Sequence, residues 1–294
     1  MIQEGEDVGR MEPPGPREAR PEDKLRDIRR PAVRPNGGFR SALSALHSFL
    51  AAWSSRALDL ILPPQCPITG EPVAAPGLLS AKAWAKLQFI DDPVCARCGA
   101  PFAHDHGEGA ECAACIAEPP AFGRARAAVV YDDASHRLIV GFKHSDRTEL
   151  NPLFGAWLAR AGGPLIGKET ILVPTPLHWR RLLSRRYNQA GLLAAAAGRA
   201  TGAMVAYDVL KRLRPTPPQQ ALSADARRRN VAGAFAVRPE RTCDIMGAHI
   251  VLIDDVLTTG ATLSACARAL KKAGAASVDA LVLARVVRGG GESI

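Results

Sequence analysis

The chain has 294 residues, 47% of them hydrophobic, enough for about two ordinary domains. It contains no run of roughly 18 uncharged apolar residues, so no membrane span is expected. Glu4, Glu6 and Asp7 stand where a secretory signal carries basic residues, which points to the cytoplasm.

The net charge of +9 is concentrated in one window. Residues 176–230 hold eleven Lys and Arg against two acids, Asp208 and Asp225, an excess as large as that of the whole protein. A local field of this sign favours a polyanion, either a phosphorylated metabolite or nucleic acid. Solvated helix faces account for part of it.

In chain order, residues 1–38 are rich in Pro, Arg and Glu and nearly devoid of large apolar groups, which predicts a disordered tail. Residues 39–63 space Leu43, Leu46, Phe49, Leu50, Trp53, Ala57 and Leu60 as one face of an amphipathic helix, ended by Pro63 and Pro64. Residues 64–120 hold five of the seven cysteines among Gly and Pro, the composition of a small loop-rich module held by metal. Within it Cys95 and Cys98 form one CxxC pair and Cys112 and Cys115 another, thirteen residues further on. Two such knuckles converging on one ion supply the four thiolates of a structural zinc ribbon, and a reducing compartment favours that use over disulfides. His104 and His106 fall between the knuckles, but four thiolates already fill a tetrahedral site.

From residue 124 to 288 the pattern changes. Strand-like runs at Ala127–Tyr131, Ile171–Pro174, Ile250–Ile253 and Val278–Ala284 alternate with helix-like ones at His136–Lys143, Asn188–Arg199 and Ala261–Ala273. This alternation predicts an α/β domain around a largely parallel sheet with helices on both faces.

The stretch "VLIDDVLTTGATL", Val251–Leu263, concentrates the chemistry. A strand buried on both faces ends in Asp254 and Asp255; a loop of Thr258, Thr259 and Gly260 follows, and a helix opens at Ala261. Ligands of open α/β sheets sit at the carboxyl ends of strands. The free N–H groups at a helix start suit a phosphate; Thr258, Thr259 and Thr262 add hydroxyl donors, and Gly260 allows close backbone approach. Neither GxxxxGK[ST] nor GxGxxG is present. Two carboxylates beside a phosphate repel it unless they hold something else, and sugar hydroxyls fit, because a carboxylate accepts two such hydrogen bonds. The loop is therefore expected to take a 5-phosphate and the acids the 2- and 3-hydroxyls of one ribose.

This stretch closely resembles the phosphoribosyl pyrophosphate motif of type I phosphoribosyltransferases. Three further segments narrow the resemblance to the ComF/GntX family: "VPTPLHWRRLLSRRYNQAGLLA" (173–194), "TPPQQALSADARRRNVAGAF" (216–235) and "VGFKHSDRTEL" (140–150). The likeness covers most of residues 64–288. It implies a phosphoribosyltransferase-like domain that binds phosphoribosyl pyrophosphate with Mg²⁺, and a connection with DNA uptake in naturally transformable bacteria. Phosphoribosyl transfer expels pyrophosphate, so cations and Mg²⁺ are needed on that side. Arg181 and Arg186, with Arg180 and Arg185, are expected there, and Arg227, Arg228 and Arg229 are expected to form a lid. Tyr187, Asn188 and Gln189 are read either as ligand contacts or as a helix start with Asn188 as N-cap.

The family commonly carries two ribbons. Here only Cys66 survives in the first; Thr69, Ser80 and Ala83 stand where the other ligands belong, so a single zinc is expected, with the first module held by packing of Leu78, Leu79, Trp84 and Leu87 or loosely ordered. Cys243 and Cys266 lack partners, and Cys266 is read as packing. The ribbon segment 95–115 has one Arg against Asp105, Glu108 and Glu111, which suits protein contact better than DNA. Two functions stay open: an enzyme transferring the phosphoribosyl group to an unidentified nucleophile, with Asp254 and Asp255 at its centre, or a non-catalytic binding or DNA-uptake accessory protein that docks a partner through the ribbon. The oligomeric state is open too, a dimer included.

Overall fold

The computed structural model describes residues 63–144, 148–177, 187–214 and 224–287. All belong to the second of two compact units, Leu58–Ile294. The tail 1–38, nearly all of the helix expected at 39–63, and Arg180, Arg181, Arg185 and Arg186 lie outside the described residues.

Five strands form one all-parallel sheet: β1 (Ala125–Val130), β2 (Thr170–Pro174), β3 (Met204–Val205), β6 (His249–Leu257) and β7 (Ser277–Arg285), in the order β1-β7-β6-β2-β3. A parallel sheet must be covered on both faces, and here alternate residues of one strand feed two cores. Val251 and Ile253 enter the first core, under α3 (Asp133–His144), α4 (Asn151–Gly162) and α5 (Gln189–Thr201). Ile250 and Leu252 enter the second, under α8 (Ala261–Lys272), through Leu263, Cys266, Ala267 and Leu270. The fold is that of a type I phosphoribosyltransferase-like domain preceded by a cysteine-clustered ribbon module.

Some elements depart from the pattern read off the sequence. Helix α4 is not among the helix-like runs of the sequence, and its stretch "NPLFGAWLARAG" carries Pro and Gly. Pro152 falls in the first turn, where its missing N–H costs nothing. Gly155 lies so close to α5 that a Cβ there would meet the Ala196 carbonyl oxygen at 2.7 Å, so the glycine is set by helix–helix approach. A two-stranded antiparallel ribbon, β4 (Leu210–Arg212) with β5 (Phe235–Val237), lies outside the main sheet and buries Leu210 and Phe235 in the second core. The stretch with Arg227–Arg229 is the helix α6 (Ala224–Val231), packed near α8. The remaining helices are short: α1 (Ala81–Trp84), α2 (Ala113–Ala117) and α7 (Thr242–Ile245).

Candidate functional site

The acids sit where the sheet changes its pairing. β2 pairs with β6 only as far as Pro174 opposite Ile253, and the Thr175 N–H closes that edge on the Ile253 carbonyl at 2.9 Å. β6 runs on against β7 alone, with Asp254 opposite Val282 and Leu257 opposite Arg285. The strand continues four residues past its apolar run, which ends at Ile253, and Asp254 and Asp255 are the first residues beyond the pairing with β2. They occupy the crevice that a parallel sheet opens where one strand stops and its neighbour continues. Both are half-buried, and the Asp255 N–H donates to Asp254 Oδ1 at 2.9 Å. Leu257 joins the second core although alternation from Leu252 would place it in the first, so the backbone changes face between the acids and the loop.

The loop has the local geometry of a helix start. Gly260 is the N-cap of α8 at φ +74°, with no side-chain cap and no acid in the first turn. A Cβ at Gly260 would touch Leu257 and Phe122, each at 3.4 Å, so the turn is closely backed from behind. The Thr259 Oγ1 is buried and has no hydrogen-bond partner among the described residues. An unpaired buried hydroxyl costs about 1–3 kcal/mol, and one located at a helix N-terminus is a donor suited to an anion. Thr258 is exposed and Thr262 half-buried in the first turn.

Tyr187, Asn188 and Gln189 serve the scaffold. Asn188 caps α5 by accepting from the Ala190 N–H, and its Nδ2 donates to the Thr175 carbonyl at 3.1 Å, tying α5 to the end of β2. The Tyr187 hydroxyl donates to the Phe142 carbonyl at 2.9 Å, and Gln189 is buried. Asn188 therefore fixes the start of α5 against the end of β2. Arg229 is exposed on α6. Cys266 is fully buried; burial, and secondarily the Asp254 carboxylate, pushes its thiol well above the ordinary range, so it is an inert packing group.

The second centre is the cysteine cluster. One ligand atom from each of Cys95, Cys98, Cys112 and Cys115 lies within 4.8 Å of the others. The N–H groups of Cys98 and Cys112 donate to Cys95 Sγ at 3.5 and 3.3 Å, as knuckle amides do toward a thiolate. Hydrogen bonding from Cys98 holds Cys95 down at about 4, while sharing that proton keeps Cys98 high and burial pushes Cys115 up to about 12. A divalent cation offsets the charge that burial otherwise penalises and lets all four ionise, so the donor set fits structural zinc. His104 and His106 are exposed and outside the cluster; His106 stacks edge-on against Phe102.

The first ribbon repeats the backbone hydrogen bonds of the second with three of its four ligands replaced. Around Cys95 the Gly99 N–H bonds the Cys95 carbonyl at 2.9 Å, the Cys95 N–H bonds Ala100 at 2.7 Å, and Phe102 bonds Pro93 at 2.9 Å. Around Cys66 the Gly70 N–H bonds the Cys66 carbonyl at 2.8 Å, the Cys66 N–H bonds Glu71 at 2.7 Å, and Val73 bonds Pro64 at 2.8 Å. The second knuckles match as well: Cys115 bonds back to Cys112 at 2.8 Å and Ala83 to Ser80 at 2.9 Å, each opening a short helix. Where a metal would join the knuckles, the Thr69 and Ser80 hydroxyls share a hydrogen bond of 2.9 Å, and Cys66 and Ala83 are buried at 2% and 0% exposure. Leu79 and Leu87 are buried as expected for a packed module, whereas Leu78 and Trp84 stay partly exposed.

Residues 57–116 match the family model described as a double zinc ribbon domain, and residues 197–293 match that of the phosphoribosyl transferase domain. The DNA utilization protein YhgH of Escherichia coli O157:H7 is 32% identical over 206 residues, 67% of this chain and 86% of that protein. The chain belongs to the ComF/GntX family. Competence protein F of Haemophilus influenzae is 28% identical over 218 residues, 72% of this chain and 92% of that one, and competence protein ComFC of Bacillus subtilis is 28% identical over 210 residues, covering 68% and 81%. No helix among the described residues is long and apolar enough to cross a membrane.

Arg285, Thr175 and Phe122 carry no functional signal in the sequence. Arg285 ends β7, and its guanidinium donates to the Cys98 carbonyl at 2.7 Å and to Cys98 Sγ at 3.2 Å. A lone arginine at the end of an apolar run carries no signal in one dimension.

Proposed function

We propose that this protein binds phosphoribosyl pyrophosphate with Mg²⁺ in the crevice beyond β2 and transfers its phosphoribosyl group to an acceptor, in a process that handles incoming DNA. The observation that carries the binding half is the junction of β6 and α8: two carboxylates in a crevice, followed by an uncapped helix start with a buried, unpartnered threonine hydroxyl. The ribose hydroxyls would donate to Asp254 and Asp255. The 5-phosphate would accept from Thr259 Oγ1, from the Thr258 and Thr262 hydroxyls and from the first N–H groups of α8. In transfer the C1–O bond to pyrophosphate breaks, the electron pair leaves with pyrophosphate, and the acceptor's lone pair forms the new bond to C1. The carboxylate oxygens of Asp254 and Asp255 are hard donors of the kind Mg²⁺ takes, and the ion, when bound, would offset the leaving group's charge. Arg227–Arg229 on α6, together with Arg181 and Arg186, would add positive charge on the pyrophosphate side. The connection with DNA is supported by the names of the relatives, and the acidic ribbon is better suited to docking a protein than to reading DNA.

Calorimetry with phosphoribosyl pyrophosphate and Mg²⁺ tests the binding. Asp254→Asn with Asp255→Asn should weaken it by at least tenfold, roughly one lost charge-assisted hydrogen bond or more. Unchanged affinity would remove the ribose assignment. Pyrophosphate release against a panel of bases and amines then separates an enzyme from a binding protein: tight binding with no release under any acceptor favours the non-catalytic function.

A further inference from the structure

The metal ribbon and the anion loop are joined by two separate sets of contacts. The first runs through β7. Arg285 holds Cys98 by two hydrogen bonds, one to the sulfur itself, and the same residue is the register partner of Leu257, immediately before the loop. The Val286 N–H closes this end on the Leu257 carbonyl at 2.9 Å, and the Arg285 carbonyl accepts from Tyr131 at 2.7 Å. The second runs through the segment that leaves the ribbon after Cys115. Its Ala121 N–H donates to Ser264 Oγ in the first turns of α8 at 3.3 Å, and the Ala121 carbonyl accepts from Lys271 Nζ at 2.7 Å. The next residue, Phe122, is 2% exposed and lies against the back of Gly260. The first support touches Cys98 of the cluster directly, and the second follows its last cysteine, Cys115, along the chain.

We infer that zinc in the ribbon organises the anion loop, with Arg285 and the Ala121–Phe122 segment as positioning residues that carry the constraint from Cys98 and Cys115 to Leu257, Gly260 and Ser264. With the four sulfurs fixed on one ion, the Cys98 carbonyl and sulfur are fixed acceptors for Arg285, and the Cys115 knuckle fixes where Phe122 begins. When the sulfurs are not gathered, both supports lose their anchor and the start of α8 loosens. Coupling of this kind is reciprocal: whatever binds the loop must also strengthen the metal site. The reciprocal half rests on the phosphate-loop reading above; the structural half does not.

Hydrogen exchange on the full chain tests the structural half without any ligand. The first bonded amide of α8 is that of Ser264, which donates to the Gly260 carbonyl at 2.8 Å. Removing zinc should speed exchange of the amides at residues 264–267 on the order of tenfold, within the range of coupling between distinct sites, while Ile250–Ile253 in the sheet centre keep their protection. Arg285→Gln, assayed with zinc still bound as measured by elemental analysis, should raise exchange at 264–267 in the same direction. Unchanged protection at 264–267 in the metal-free protein, with protection lost only at 95–115, overturns the inference. Should metal removal also unprotect Ile250–Ile253, the zinc-loaded Arg285→Gln protein decides alone, and wild-type exchange at 264–267 in it refutes the link. The reciprocal half is read as the rate of zinc transfer to a chromogenic chelator, with and without phosphoribosyl pyrophosphate and Mg²⁺. A rate slowed about tenfold in the wild type and less in Arg285→Gln supports coupling; an unchanged rate while calorimetry shows bound ligand refutes it. No binding in calorimetry counts against the ligand reading and leaves the exchange result to decide the structural link.

Discussion

Converting the first ribbon back into a metal site is the sharpest test of how the N-terminal module is held. Thr69→Cys, Ser80→Cys and Ala83→Cys together would place three thiols beside Cys66 on a backbone whose hydrogen bonds already repeat those around Cys95. Without metal the changes should destabilise. Ser80 is the N-cap of α1, accepting from the Ala83 N–H, and losing such a cap costs about 1 kcal/mol. The Thr69–Ser80 hydroxyl bond contributes about 1 kcal/mol more. Ala83 has no exposed surface, so an added sulfur there overpacks by about 1–3 kcal/mol. The metal-free variant should therefore lose roughly 3–5 kcal/mol of local stability. A four-thiolate zinc site returns more than this, since apparent binding free energies in small zinc modules run to about 10–16 kcal/mol. Elemental analysis should find one zinc per wild-type chain and two per variant chain, and a melt in zinc should restore or exceed the wild-type midpoint. A variant that still binds one zinc and melts lower whether or not zinc is added would refute the idea that the two knuckle frames are equivalent. Two tightly bound zincs in the wild type would refute the expectation of a single zinc on Cys95, Cys98, Cys112 and Cys115.

Further outcomes follow from single sites. Gly260→Ala puts a side chain at φ +74° and should cost about 1–2 kcal/mol of stability by denaturant titration, together with a measurable loss of phosphate affinity. The Cys66 thiol is pushed up by burial but brought down overall, to about 7, by hydrogen bonds from the Ser80, Thr69 and Ile68 backbone and the Thr69 side chain. Its folded value lies below the unfolded value of 9.0, so the folded chain releases the proton first. Stability of the zinc-loaded protein should rise from pH 7 to 9 and be lost as pH falls through 7; Cys66→Ser should flatten that segment of the urea midpoint profile. Replacing Arg227, Arg228 and Arg229 with Ala should weaken phosphoribosyl pyrophosphate binding with modest salt dependence. Collapse of DNA binding instead, steep in salt and with metabolite affinity and turnover unchanged, would assign these arginines to nucleic acid.

Much of the site could be read in one dimension because it is local. The helix start, the glycine at the turn, the threonines and the two acids lie within one short stretch, and the unbroken apolar run Ile250–Ile253 marks them as the end of a strand buried on both faces. The two CxxC knuckles are equally local, and spacing alone brought four sulfurs together. What pattern could not supply was everything decided by neighbours distant in sequence. That the pairing of β6 with β2 stops at Ile253 while its pairing with β7 continues to Leu257 depends on neighbouring strands, and it is this mismatch that puts the acids in a crevice instead of on one more rung of the sheet. Helix α4 was hidden because its glycine answers to a carbonyl on another helix. The Asn188 side chain, open between ligand and cap in the sequence, holds the backbone on both sides of it. The degenerate ribbon keeps its shape because a hydroxyl pair eleven residues apart replaces a shared ion, and Arg285 reaches a sulfur 187 positions earlier. Side-chain type and spacing determine which local structure a segment favours; which groups then meet across the sheet depends on packing, and only the folded chain decides it.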